Sequence, residues 1–242
     1  MLRTFLPILF VMLVSSWSRA HTPVEFLEVL EGKPSNLIEH GIEIKGIFDD
    51  KKSMVDLEGP YCFSAAVGCL GREAEKQKAY LTWYKIVRPK QEAPRKVACI
   101  DLIRGMETTP LTIGAAEFFL SPAQRITTGA PSEIPKGLDH FKAYRILNAP
   151  AQEMNVTLAE SLGPAKRRIG KPAFLCIAAE EWHHDDFFPA THRRTGFVVY
   201  ELEPQQQKGK ITLIDQFGLN QVATETSRWL AVTASLSTKL VD

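Results

Sequence analysis

The stretch ITLIDQFG at residues 211–218 has counterparts elsewhere in the chain. Three others share its pattern: IEIKGIF at 42–48, VACIDLI at 97–103 and VTLAESL at 156–162. The four starts lie 55, 59 and 55 residues apart. In each stretch the first, third and seventh residues are apolar, which is the alternation of a β-strand with one buried face. The spacing predicts four structural copies, each containing such a strand.

Two more strands accompany this one in each copy. An aromatic strand precedes it, seen as VEFLEV at 24–29, WYKI at 83–86, FKAYRI at 141–146 and FVVYEL at 197–202. An apolar strand follows it, seen as PYCFSA at 60–65, FFLSPA at 118–123, FLCIAA at 174–179 and WLAVTA at 229–234. We therefore expect an all-β fold of four degenerate three-stranded repeats, arranged as two pseudo-symmetric pairs packed as a sandwich or a barrel.

Proline residues mark where the first strand of a copy should end. Pro89, Pro150 and Pro204 each follow that strand by two to four residues. Because proline lacks an N–H group, each is expected to stop the ladder. The copies predict a first repeat pair at 21–124, a linker at 125–137 and a second repeat pair at 138–242.

The N-terminus has the three parts of a secretory signal peptide. Arg3 supplies a positive charge, residues 5–14 are apolar, and Ser18-Arg19-Ala20 ends the segment with small residues. The apolar run is shorter than the roughly 20 residues that a membrane-spanning helix needs. We expect residues 1–20 to be a signal peptide cleaved after Ala20, with an uncleaved anchor as the alternative. The mature chain is then periplasmic or extracellular and not inserted in a membrane.

Charge and motifs narrow the classes of function. The chain has 29 basic and 28 acidic residues, and loss of residues 1–20 would leave the two nearly balanced. This balance argues against nucleic acid as a partner. The chain contains no G-x-S-x-G, no H-E-x-x-H and no glycine-rich phosphate loop. A non-catalytic protein without a cofactor is therefore favoured over an enzyme.

The connector, residues 181–193 (EWHHDDFFPATHR), is the richest in potential ligands. His183, Asp185 and His192 are candidate metal ligands, although neighbours in sequence point apart and zinc needs three or four converging ligands. A second group of candidates, for ligand binding, consists of Trp182, Phe187 and Phe188, which lie outside the predicted strands. The alternative for both groups is a polar linker whose aromatic rings pack across a sheet edge.

Two charged patterns are given structural interpretations. Asp101, Glu160 and Asp215 occupy one column of the repeat, which favours a turn or strand-edge role over a single active site. The basic run at 166–171 is expected to be a solvated loop, because no second basic cluster reinforces it.

Four cysteines are present: Cys62, Cys69, Cys99 and Cys176. An even number in an exported protein permits disulfides, and the sequence does not rank the three possible pairings. Buried free thiols are the alternative. No C-x-x-C occurs, so neither a redox motif nor a zinc knuckle is indicated.

The order Phe-x-x-Tyr-x-Ile, Val-x-Val-x-Asp-Gln-Phe-Gly, Leu-Cys-x-Pro-Ala resembles a domain of unknown function found in tandem in exported bacterial proteins. The fourth copy (FVVYEL, ITLIDQFG) matches best, followed by the third (FKAYRI, FLCIAA). The resemblance implies a structural repeat and brings no catalytic residues. It also implies a cysteine near the tyrosine of the first strand, paired with the last strand, where this chain has Ala143 and Val199.

The leading hypothesis is an exported, non-catalytic structural or binding protein. Its partner would be an extracytoplasmic protein, a cell-envelope component or a carbohydrate. The alternative is a metal-dependent hydrolase with its site in the 181–193 connector.

Overall fold

A computed structural model describes residues 24–33, 35, 37–72, 79–127, 131–160 and 163–237, so the predicted signal peptide lies outside it. The described residues form thirteen strands and no helix. The strands are β1 (Phe26–Gly32), β2 (Ile38–Gly46), β3 (Ser53–Ala66), β4 (Gly68–Cys69), β5 (Tyr80–Val87), β6 (Arg95–Asp101), β7 (Gly105–Ile126), β8 (His140–Asn148), β9 (Met154–Glu160), β10 (Gly163–His183), β11 (Asp186–Phe188), β12 (Thr195–Asp215) and β13 (Gly218–Leu236). The all-β prediction is confirmed.

The four predicted copies are all present. The first consists of β1, β2 and β3, the second of β5, β6 and β7, and the third of β8, β9 and β10. In the fourth, the first and second strands are the two halves of β12, and the third is β13. The short strands β4 and β11 each follow the third strand of a copy. The boundaries of the two proposed repeat pairs stay a prediction.

The first and third strands of all four copies form a closed ring. Going round it, the antiparallel pairs are β1 with β3, β3 with β5, β5 with β7, β7 with β8, β8 with β10, β10 with β12, β12 with β13, and β13 with β1. The last pair closes the ring, because it joins the first described strand to the last. A closed ring leaves none of these eight strands as an open edge.

The second strand of each copy forms a hairpin with the beginning of the third, and this hairpin reaches two copies onward. Strand β2 pairs with the end of β10, β6 with the end of β13, β9 with β4, and β12 with the end of β7. The hairpin of each copy therefore pairs with a strand of the copy two positions away, and the four hairpins lie outside the ring.

Two apolar layers result from this arrangement. The inner face of the ring carries small and aromatic residues from all four copies: Leu27, Val29, Cys62, Leu81, Trp83, Leu120, Phe141, Ala143, Phe174, Cys176, Ala178, Phe197, Val199 and Ala231. Phe174 lies among the rings of Trp83, Phe118 and Trp229, with centroids 5.5–6.4 Å away. The outer face packs against the hairpins through two further clusters.

Gly196 marks a point where two ring strands approach too closely for a side chain. A Cβ atom added there would lie 1.9 Å from the carbonyl oxygen of Cys176. Gly196→Ala is therefore expected to lower the free energy of unfolding by about 1–3 kcal/mol, as overpacking does. Gly114→Ala is the control, because its methyl group would meet only the exposed Leu147 side chain at 3.3 Å. Urea denaturation measures both, and equal effects would contradict the close approach.

Two expectations about local structure are wrong. Pro89 and Pro150 lie beyond strand ends as predicted, but Pro204 lies inside β12, where the ladder changes register between Glu201 and Gln205 instead of stopping. Proline fits in β12 because a bulge does not require the backbone N–H donor that proline lacks.

The basic run 166–171, expected to be a solvated loop, belongs to β10, and its Arg167 is only 4% exposed. Among the described residues, no helix is long and apolar enough to cross a membrane.

Candidate functional site

The connector folds as a tight hairpin. Glu181 pairs with Phe188 and His183 with Asp186, and His184 in the turn has a φ of 53°. The aromatic residues expected outside strands thus lie in β10 and β11, because the chain continues its ladder past Ala179. The connector is an ordered extension of the third copy.

The three aromatic candidates of the connector separate into two groups. Trp182 stacks on the half-exposed Phe187 with centroids 4.8 Å apart, and the Lys52 ammonium lies 3.7 Å from the Trp182 ring centroid. Phe188 points to the other face, where its ring lies 5.0 Å from that of His140. Alternation along β11 causes this separation, since neighbouring strand residues face opposite ways.

The three metal candidates have different surroundings. The His183 ring stacks on His184 at 4.1 Å, Asp185 is exposed in the turn, and His192 Nδ1 lies 3.5 Å from Asp139 Oδ2. Asp139 also accepts hydrogen bonds from the backbone N–H groups of Thr191 and His192. Within the part of the chain that the structure describes, no group of three or more His, Cys, Asp or Glu residues is arranged to hold a metal ion.

A buried polar cluster lies beneath the connector. His140 Nε2 donates to Gln216 Oε1 at 2.8 Å, and Gln216 Nε2 donates to Glu181 Oε1. Glu181 Oε2 lies 3.2 Å from His140 Nε2, without a hydrogen bond in the described structure. Glu181 is fully buried and His140 is 7% exposed. The sequence did not identify this cluster, because its members come from positions 140, 181 and 216.

Burial sets the protonation of the cluster. Loss of solvent raises the pKa of Glu181 to about 7 and lowers the pKa of His140 to about 4. The hydrogen bonds to Gln216 oppose both shifts but are the smaller cause. In the fourth copy, Gly196 and Leu236 occupy the corresponding positions, so the cluster is not a general feature of the repeat. Its enclosed position makes it a determinant of stability rather than an open site.

Two members of the acidic column have structural roles, as expected. Asp215 accepts a hydrogen bond of 2.7 Å from Tyr84 of the second copy, and Asp101 accepts one of 2.9 Å from Tyr200 of the fourth. The second and fourth copies thus exchange equivalent tyrosine–aspartate bonds. The side chain of Glu160 lies outside the described residues.

The four cysteines are buried free thiols in the structure. Cys62 and Cys176 belong to the inner layer of the ring, and Cys69 and Cys99 to the outer layer. Burial raises the pKa of Cys69 to about 11 and that of Cys99 to about 12, and it raises the pKa of the other two thiols as well. None of them has the character of a reactive thiolate.

Titration with a thiol reagent tests this arrangement. The native protein is expected to react slowly at pH 8, because thiol groups with raised pKa values inside the core are poor nucleophiles. Denaturation without a reductant should then release four reactive thiols per chain, the full cysteine content. Two or zero thiols in that second measurement would instead show a disulfide.

A cavity of about 600 Å³ opens between the ring and the fourth-copy hairpin, residues 205–227. Its apolar lining comes mainly from the ring strands and includes Leu30, Phe63, Ala65, Tyr80 and Ile211. Its polar lining includes Glu28, Arg125, Gln205, Gln206, Gln207, Lys208, Lys210 and Thr224. The volume falls within the range of small-ligand sites, about 300–1,000 Å³.

A bulge forms one wall of this cavity. Gln206 pairs with Thr226 and Gly209 with Thr224, so Gln207 and Lys208 together face the single residue between those partners. Bulges redirect side chains and occur often beside functional sites. The sequence alone does not reveal this bulge, since a bulge depends on the register of the partner strand.

Arg167 holds the bulge in place. Its guanidinium donates to the carbonyl oxygen of Glu203 and to Gln205 Oε1 at 2.9 Å, and it lies 3.7 Å from Glu28 Oε1. Gln207 Nε2 donates to the same Glu28 oxygen at 3.0 Å. The wall is therefore fixed by buried, charge-assisted contacts, which are stronger than neutral hydrogen bonds.

Comparison with known families agrees with the repeat architecture. A family model described as a repeat of unknown function (DUF7450) matches residues 80–233. This is well over half of the chain, which therefore belongs to that family. Neither a curated protein nor a solved structure matches it.

Proposed function

We propose that this repeat protein is an exported, non-catalytic binding protein, and that the cavity beneath the fourth-copy hairpin binds a carbohydrate. The cavity carries this proposal: it combines apolar residues of the ring strands with polar groups on the paired strands β12 and β13. Export is supported by the signal-peptide pattern of residues 1–20.

The lining suits a ligand rich in hydroxyl groups. A glutamine amide both donates and accepts hydrogen bonds, as a sugar hydroxyl does. The Gln206 side chain forms no hydrogen bond with another described residue, whereas Gln205 and Gln207 are bonded to Arg167 and Glu28. Gln206 therefore brings an uncommitted amide to a cavity that Phe63 and Tyr80 also line.

Binding is tested by isothermal titration of the mature protein with a panel of purified oligosaccharides, neutral and acidic, four to six sugars long. At least one should bind, and Ala65→Phe should weaken binding at least tenfold by filling the cavity, a loss of about 1.4 kcal/mol. Met54→Phe is the matched control, because Met54 is 73% exposed and does not line the cavity. Mass spectrometry should recover the sugar unchanged.

Three outcomes oppose the proposal. Absence of binding across the panel rejects a carbohydrate ligand. Equal affinity of the Ala65→Phe and Met54→Phe proteins places the ligand outside the cavity. Cleavage of the sugar by the purified protein contradicts a non-catalytic role.

A further inference from the structure

Three cations line the cavity. Arg125 lies at the end of β7, and Lys208 and Lys210 lie on β12. No ion pair or hydrogen bond joins these three side chains to another described residue. Elsewhere the surface arginines are commonly paired, as Arg72 is with Glu25.

The acidic residue of the cavity does not neutralise them. Glu28 is 8% exposed, lies 3.7 Å from the Arg167 guanidinium, and accepts a hydrogen bond from Gln207. Its charge is therefore already balanced within the wall. The polar side of the cavity has an excess of positive charge, which favours an anionic ligand.

Strand pairing holds one of these cations close to the hairpin. Arg125 is paired with Leu213 of β12, and its backbone N–H donates to Ser132 Oγ at 2.8 Å. A guanidinium presents a planar fork of donors that matches a carboxylate in two parallel hydrogen bonds. The two lysines act instead as point charges on the bulged strand.

We infer that the ligand is a carboxylate-bearing oligosaccharide, in which Arg125 binds a uronate group while Lys208 and Lys210 attract the neighbouring negative charges. This inference rests on the proposed function. A carboxylated sugar can bond to the Gln206 amide through its hydroxyl groups and to the cations through its carboxylates. A nucleic acid would need a longer basic surface to track its phosphates.

The test compares a hexamer of (1→4)-linked galacturonate with its fully methyl-esterified form, which has the same size without the charge. The acid form should bind at least tenfold more tightly at low salt, and this advantage should shrink as salt is added. Arg125→Gln should weaken binding of the acid form about tenfold. Lys208→Gln and Lys210→Gln should each weaken it about two- to fivefold. Lys90→Gln and Lys136→Gln, exposed cations outside the cavity, are the matched controls.

The outcomes separate this inference from the proposed function. Equal binding of the acid and the ester overturns the inference and leaves a neutral carbohydrate as the ligand. Unchanged affinity of the Arg125→Gln protein for the acid form overturns the assignment of the uronate to Arg125. Equally tight binding of a single-stranded oligonucleotide of the same charge overturns the carboxylate assignment. Failure of both hexamers and of the whole oligosaccharide panel rejects the proposed function itself.

Discussion

Phe174→Ala is expected to lower the free energy of unfolding by about 3–5 kcal/mol, because it removes a large side chain from the centre of the ring. Phe174 is 1% exposed and contacts aromatic rings from the second and fourth copies. The Arg145 guanidinium also lies 4.1 Å from its ring centroid. Urea denaturation followed by tryptophan fluorescence measures the loss.

Phe187→Ala provides the matched control for this substitution. Phe187 is 50% exposed and lies on the connector, outside the ring. The same chemical change there should cost about 1 kcal/mol or less. Similar losses for the two variants would show that the inner face of the ring is not a packed core.

Glu181→Gln is expected to change how stability depends on pH. The pKa of Glu181 is raised from 4.5 to about 7 in the folded protein, so its contribution is fully present below pH 4.5 and is lost as pH rises through 7. Glutamine resembles the protonated acid and does not ionise, so its contribution to stability does not change with pH. The stability of the variant relative to the natural protein should thus increase by up to about 3 kcal/mol between pH 4.5 and pH 7.

His140→Gln should show the opposite dependence. The pKa of His140 is lowered from 6.5 to about 4, so stability is lost as pH falls from 6.5 towards 4, where only the unfolded chain gains the proton. Relative to the natural protein, the variant should gain up to about 3 kcal/mol over that fall. In the natural protein the two effects oppose each other between pH 4.5 and 6.5.

Denaturation curves at six pH values from 4 to 8 measure these differences. Asp215, whose pKa is also raised by burial and whose charge helps to raise the pKa of Glu181, is present in all three proteins. Stability differences that do not vary with pH would show that His140 and Glu181 are solvated in the folded chain.

The repeat could be predicted from the sequence because the pattern of apolar residues that defines it is local. Alternating apolar residues such as Ile211 and Leu213 define a strand face without reference to any other part of the chain. The fixed offset between such strands then defines the copy. Closure of the ring could not be predicted from the sequence, since the pairing of β1 with β13 joins opposite ends of the described chain.

The site was less predictable for the same physical reason. In the connector, His183, Asp185 and His192 suggested a metal site, whereas Glu181 is bonded to residue 216 and close to residue 140. The stretch from Gln205 to Lys210 is plain polar sequence, and only the register of β13 turns it into a cavity wall. Long-range register decides both features, and alternation of apolar residues does not encode it.

Hydrogen exchange of the mature protein, with and without the tightest-binding oligosaccharide, tests most directly where the ligand binds. Added protection is predicted in two segments that line the cavity, residues 63–67 and 205–211, with none in the 181–193 connector. Protection confined to the connector would contradict binding in the cavity and would place the ligand at the stretch that contains His183 and His184.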